Sequence, residues 1–84
     1  MELVASARRE LRKLGSRDRQ RILDFLDTRI ATDEDPRRLA EAMAGPFKGR
    51  WRYRVGDFRI VANIEDKRVT VLVLRIANRR EVYR

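Results

Sequence analysis

Apolar positions recur at helical spacing through the first half of the chain and at alternate positions through the second. Ala7, Leu11 and Leu14 share one face, with Arg8, Arg9, Arg12 and Lys13 on the others, which predicts a first helix. Gly15 stops it, and Ser16 is the candidate N-cap of the next. A second helix carries Ile22, Leu23, Leu26 and Ile30 on one stripe with Phe25 beside it, while Arg17, Arg21, Asp24 and Asp27 face solvent. So short a connection makes the two an antiparallel helical hairpin. Asp35-Pro36 then supplies an N-cap and an N1 proline for a brief third helix through about Ala42, which Gly45-Pro46 breaks.

From Arg50 onward the pattern is that of strands. Arg50–Val55, Phe58–Ile64 and Val69–Ile76 are rich in β-branched and aromatic residues, joined by Gly56-Asp57 and by Glu65-Asp66-Lys67. Glycine first in a two-residue loop suits a type II′ hairpin turn. The expectation is one α+β domain over residues 1–84, with the N-terminal antiparallel helical hairpin packed on one face of a small antiparallel β-sheet. Repeats, linkers and low-complexity tracts are absent from the sequence.

The Gly56-Asp57 loop sets a register in which Val55 faces Phe58, Arg54 faces Arg59, Tyr53 faces Ile60 and Arg52 faces Val61. Paired residues point to the same side of a sheet. One side therefore collects Trp51, Tyr53, Val55, Phe58, Ile60, Ala62 and Ile64, the surface for the helices to cover. Trp51, Tyr53 and Phe58 are core residues on this reading, and Met43 and Phe47 pack under the helix–sheet crossover. The other side collects Arg52, Arg54, Arg59, Val61 and Asn63. Arginines directly opposed across strands destabilise a pair by up to about 1 kcal/mol. A bound anion would relieve that; splaying into water, or screening by Asp57 and Glu65, are the alternatives. On the last strand Thr70, Leu72, Leu74 and Ile76 form one parity set. Arg75, Ala77 and Arg79 continue the other, together with Val71 and Val73, so the basic side has an apolar patch suited to docking a second chain.

The chain has 84 residues, with neither cysteine nor histidine. That removes disulfides, thiolate metal sites and the usual zinc ligand and neutral-pH acid–base group, and points to no metal and no cofactor. Asp33-Glu34-Asp35 reads as a capping loop. No apolar run approaches the roughly 20 residues of a membrane span, and no signal-peptide core is present, so a soluble cytoplasmic protein without membrane contact is expected. Residues 1–42 hold ten Lys/Arg against nine Asp/Glu, and residues 43–84 hold eleven against four, so the second half carries +7 of the net +8. A basic excess confined to the sheet half steers polyanions toward it. Arg8, Arg9, Arg12, Arg17 and Arg21 are a solvated helical face or a further contact for a polyanion such as RNA.

The segments ARRELRKL at Ala7–Leu14, LDTR at Leu26–Arg29, RWRYRVGDFRIV at Arg50–Val61 and VLVLRIANRREVYR at Val71–Arg84 resemble, in that order, the RelE toxins of the RelE/ParE superfamily, the toxin halves of bacterial type II toxin–antitoxin pairs. The resemblance implies a toxin that enters the ribosomal A site and cuts mRNA without metal, by attack of the ribose 2′-hydroxyl on the adjacent phosphate. It implies catalytic roles for Arg52, Arg54, Arg59, Arg79 and Tyr83, with Lys48, Arg50, Arg75 and Arg80 as further RNA contacts. Fixed cations suit a developing phosphorane dianion, and Tyr83 can stack on a base or hydrogen-bond a ribose hydroxyl. It also implies a cognate RelB-like antitoxin with an acidic segment, covering the Arg54/Arg59 side or displacing Tyr83, and operator DNA binding only as the toxin–antitoxin complex.

Three departures stand out. Arginine occupies positions 52 and 54 where the best-studied pattern has lysine, and arginine does not serve as a base. The general base is thus open among Lys48, Tyr83, Glu81 and purely electrostatic catalysis. Asn78 stands where many relatives have a titratable histidine. Only Met1–Val4 precede the first helix, so the strand that usually opens the fold is short or missing. A ParE-like toxin that binds DNA gyrase without nuclease chemistry is the second reading, and an operator-binding module acting only with its antitoxin is the third.

Overall fold

The computed structural model describes residues 1–30, 37–65 and 70–78. Helix α1 spans Ala5–Arg12 and buries Ala7 and Leu11, with Arg9 and Arg12 in its last turn, where the helix dipole favours cations. Helix α2 spans Ser16–Phe25. Its N-cap is Gly15 in extended backbone (φ −60°, ψ 155°), so Ser16 is the first helical residue and not the cap. A π turn, Leu26–Ile30, continues it. The buried stripe Ile22, Leu26 and Ile30 explains that turn. Each four-residue step overshoots an α-helical turn by about 40°, and the wider π turn takes up the drift and returns Ile30 to the core.

Five strands form one sheet: β1 (Glu2–Leu3), β2 (Glu41–Ala42), β3 (Trp51–Val55), β4 (Phe58–Glu65) and β5 (Thr70–Asn78), in the order β1-β5-β4-β3-β2. The expected three-strand meander is its centre, with Arg54 opposite Arg59 and Val55 opposite Phe58. Gly56 at the hairpin turn has φ +56°, which an L side chain would resist. The sheet is mixed, not purely antiparallel. The opening strand is present but short, and pairs parallel to β5 through Glu2–Leu72 and Leu3–Val73.

Where a third helix was expected, Arg37–Leu39 form a turn and Glu41–Ala42 an edge strand pairing with Arg52 and Trp51. A helix of two turns is marginal by itself. Here the sheet edge recruits the segment instead, reinforced by the Met43 N–H donating to the Arg50 carbonyl at 3.0 Å. The candidate cap Asp35-Pro36 and the Asp33–Asp35 loop lie outside the described residues.

The two faces are finished differently. Helices α1 and α2 cover the face bearing Tyr53, Val55, Ile60, Ala62 and Ile64, and Tyr53 is fully buried with its ring edge-on to Phe25, centroids 6.0 Å apart. Trp51 and Phe58 are half-buried at the margin of this core, and the Arg37 guanidinium lies 5.6 Å from the Trp51 ring centroid. A register shift between Val61 and Ala62 leaves Leu74 as an extra residue on β5, so Val71 and Val73 fall in the helix-side core. The expected apolar patch of Val71 and Val73 on the basic side is therefore corrected. Four consecutive apolar residues, Val71–Leu74, give no alternation from which a bulge could be read. Met43 and Phe47 are likewise corrected: they pack on Val61 and Ala77, on the face opposite the helices.

Beyond the two residues of β5 that β1 pairs, Glu10 of α1 accepts the Ile76 N–H at 3.1 Å through Oε1 and the Arg75 Nη2 at 3.2 Å through Oε2. One carboxylate thereby satisfies an edge donor and pairs a strand cation. Truncating the fully buried Ile22 to alanine should cost about 2–5 kcal/mol. Urea unfolding followed by circular dichroism should show a lower midpoint at an unchanged slope.

Candidate nucleic-acid interface

Two cross-strand rows build the face opposite the helices. One runs Glu41, Arg52, Val61, Arg75 across β2, β3, β4 and β5, and the next runs Arg54, Arg59, Ala77 across β3, β4 and β5. The hairpin register thus brings Arg52, Arg54 and Arg59 together on one side, as the alternation predicts.

Their environments differ. Arg59 is only 5% exposed, and its Nη1 donates to the Phe58 carbonyl at 3.4 Å. Its neighbour across the strands, Ala77, lies under the Met43–Phe47 cover, and the Arg59 charge is felt by the Glu41 carboxylate on the same face. A cation so held loses little freedom when an anion arrives. Arg52 donates from Nη2 to Glu41 Oε2 at 2.6 Å. The Arg54 Nη2 lies 3.8 Å from Glu41 Oε1, and the Arg54 side chain is 59% exposed, which makes it the most accessible of the three.

Glu41 is the counter-ion that the opposed arginines require, and sequence reasoning missed it by placing it on a helix. Its signal was available: no other carboxylate lies between Asp35 and Asp57. Asp57 and Glu65, the expected screeners, are exposed at the ends of β4. The hydrogen bond from Arg52, then the charges of Arg52, Arg54 and Arg59, hold the Glu41 carboxyl below the usual carboxylate range. At neutral pH it is an anion and a poor proton acceptor, suited to fixing Arg52 in place. Three arginines and one glutamate leave this face with a net +2, arranged as one buried cation, one closely paired cation and one exposed cation at the outer limit of an ion pair.

The remaining candidates separate. Lys48 and Arg50 are exposed on the β2–β3 connection. The Arg75 guanidinium is held by Glu10 at the sheet edge and does not join the Glu41 cluster. Arg79, Arg80 and Tyr83, with Glu81, lie outside the described residues. Among the described residues no group of three or more acidic side chains is placed to hold a metal ion, and no helix is long and apolar enough to cross a membrane.

Comparison with known proteins gives this arrangement a family. Residues 2–83 match the family described as the ParE toxin of the type II toxin–antitoxin system, parDE. Toxin RelG of Mycobacterium tuberculosis is 27% identical over 84 residues, spanning 100% of this chain and 94% of that protein. The fold superposes with a TM-score of 0.83, at 26% identity, on a crystal structure of the RelBE2 toxin–antitoxin complex of the same organism, covering 92% of this chain and 86% of that one. A mutant of Escherichia coli toxin RelE in complex with an antitoxin RelB peptide superposes at TM-score 0.67 and 28% identity, covering 98% of this chain and 86% of that one. The chain belongs to the ParE toxin family, and is a type II toxin of the RelE/ParE superfamily.

Because the folded-state pKa of Glu41 is depressed, its ion pair contributes stability that is complete above the unfolded value of 4.5 and is lost as pH falls through the lower folded value. The stability difference between wild type and Glu41→Gln, measured by urea unfolding from pH 7 down to pH 3, should shrink below pH 4.5. Because the pair is exposed to solvent, the difference should also shrink in high salt.

Proposed function

We propose that this toxin is an endoribonuclease that cuts mRNA on the ribosome and so arrests translation in the cytoplasm. The observation that carries the reading is the convergence of Arg52, Arg54 and Arg59 on one face, with Arg59 buried and Arg52 fixed by Glu41. Clustered guanidinium groups fit the charge that grows on a phosphate during transesterification. In that reaction the 2′-oxygen gives up its proton and bonds to phosphorus, while the P–O5′ bond breaks and the 5′-oxygen takes a proton. The products are a 2′,3′-cyclic phosphate and a free 5′-hydroxyl. On this reading Arg54, the most exposed of the three, meets the phosphate first, with the positive charge of the buried Arg59 behind it. Arg79 and Tyr83 complete the set on the strength of the resemblance. Lys48 and Arg50 extend the basic track along the RNA, with Arg80 on the same footing as Arg79. Arg75, bound to Glu10, is the weakest of the proposed contacts.

The relatives' complexes with antitoxins support a cognate antitoxin for this chain, with an acidic segment that folds onto the basic face. Binding to operator DNA belongs to that complex and not to the toxin alone. A second reading, inhibition of DNA gyrase without nuclease chemistry, is favoured by the family match itself, which is to ParE.

Induced expression followed by primer extension on cellular mRNA separates the two. The nuclease reading expects codon-phased cuts that disappear in Arg79→Ala and Tyr83→Phe. Arg54→Ala, at an exposed position, should lower the cleavage rate by about 10²–10³-fold, the range for removing one group that stabilises developing charge. Intact mRNA accompanied by broken chromosomal DNA would instead establish the gyrase reading.

A further inference from the structure

The connection between β2 and β3 borders a half-open cavity that phosphate chemistry leaves unused. It holds about 370 Å³ and is lined by Ala42, Met43, Ala44, Pro46, Phe47 and Arg52. Five of the six are apolar, and the sixth is the arginine held by Glu41 on the catalytic face. The cavity therefore opens beside the phosphate-binding cations on the same side of the sheet.

Its walls are built into the fold. The Phe47 and Met43 side chains pack on Val61 and Ala77. Backbone hydrogen bonds from Met43 to Arg50 (3.0 Å), Lys48 to Gly45 (3.1 Å) and Arg50 to Phe47 (3.1 Å) close the connection on itself. Gly45 and Gly49 take positive φ values of 65° and 95° to allow it. A cavity held this way needs little ordering when it is filled.

Phosphate has no affinity for such walls. A nucleobase has: its faces are apolar and stack on aromatic and apolar side chains, while its edge hydrogen-bonds to polar groups. The size falls in the range of small-ligand pockets, about 300–1,000 Å³. Charge complementarity selects the occupant, because a basic face flanking an apolar slot matches a chain that alternates anionic linkages with flat bases. We propose that this cavity receives a nucleobase of the single-stranded RNA whose phosphate is held at Arg54, with the base against Phe47 and Pro46 and its edge toward Arg52. The inference rests on the RNA reading above and gives it a base-recognition subsite.

The test uses the full chain and two fluorescent oligomers of equal length, a 2′-O-methyl RNA that resists cleavage and an abasic counterpart. Ala44→Leu fills the cavity at an exposed position whose backbone is extended (φ −120°, ψ 178°) and accepts leucine. Phe47→Leu removes the aromatic wall while keeping an apolar anchor on Val61 and Ala77. Wild type should bind the base-bearing oligomer about 5- to 140-fold more tightly than the abasic one, the range expected for one stacked base. Both variants should lose that preference and keep their affinity for the abasic oligomer. Equal binding of the two oligomers by wild type, or a preference that survives both substitutions, overturns the subsite and leaves the RNA reading standing. Failure of wild type to bind either oligomer, both free and presented in the A site of a programmed ribosome, overturns the RNA reading and the subsite with it. If Ala44→Leu weakens only an acidic, apolar peptide and neither oligomer, the cavity is a protein-docking site and the proposal is wrong.

Discussion

Arg54 faces Arg59 because a two-residue glycine turn permits no other register, and much of the sheet's outer face follows from that repulsion. Opposed guanidinium groups need an anion, and the edge strand β2 brings Glu41 to the neighbouring row to supply one. The same strand leads into the loop whose Met43 and Phe47 cover Val61 and Ala77, the cross-strand neighbours of Arg52 and Arg59. A locally unfavourable pairing is thus sustained by an ion pair and by an apolar cover, neither of which belongs to the hairpin. Conflicts of this kind between local and global preference concentrate at functional surfaces.

The opposite face is an ordinary core and gives the site its rigidity. Ile22, Leu26 and Ile30 from the α2 side and Ala7 and Leu11 from α1 meet Tyr53, Ile60 and Ile76 of the three long strands. Rows of arginines spaced by a well-packed sheet hold their relative positions more closely than residues on loops would. Glu10 shows the economy of the arrangement: it ties α1 to the β5 edge and withdraws Arg75 from the basic face. Charge number alone therefore overstates how many cations a ligand can reach.

Within the RelE/ParE superfamily the chain keeps the fold, and the cations gathered on its outer sheet face at positions 52, 54 and 59 are all arginines. Arginine binds oxyanions with a planar fork and does not give up its proton at neutral pH. Glu41, pinned by Arg52, is also poorly placed to move a proton. The described part of this face is consequently an electrostatic arrangement, with the chemistry to hold an oxyanion and without a group that readily exchanges a proton. An apolar cavity lined by Met43, Pro46 and Phe47 adjoins Arg52 at the margin of this face.

Patterns local to a few residues were legible in the sequence. Helical spacing located α1 and α2, alternation located the three long strands, and the Gly56-Asp57 turn gave a register that the structure reproduces pair for pair. With register came the segregation of Arg52, Arg54 and Arg59 to one side. Decisions between distant segments were not legible. Residues 37–42 could have coiled as a short helix, and only the open edge of β3 makes Glu41 and Ala42 a strand. The run Val71–Leu74 is apolar throughout, so nothing in it marks the bulge that turns Val71 and Val73 into the core. Glu41 and Glu10 acquire their partners across 11 and 65 positions of chain. Periodicity is a property of neighbours along the backbone and survives in the sequence. Counter-ions, edge pairing and the cavity beside Arg52 depend on which surfaces remain open once those neighbours have packed, and tertiary structure alone decides that.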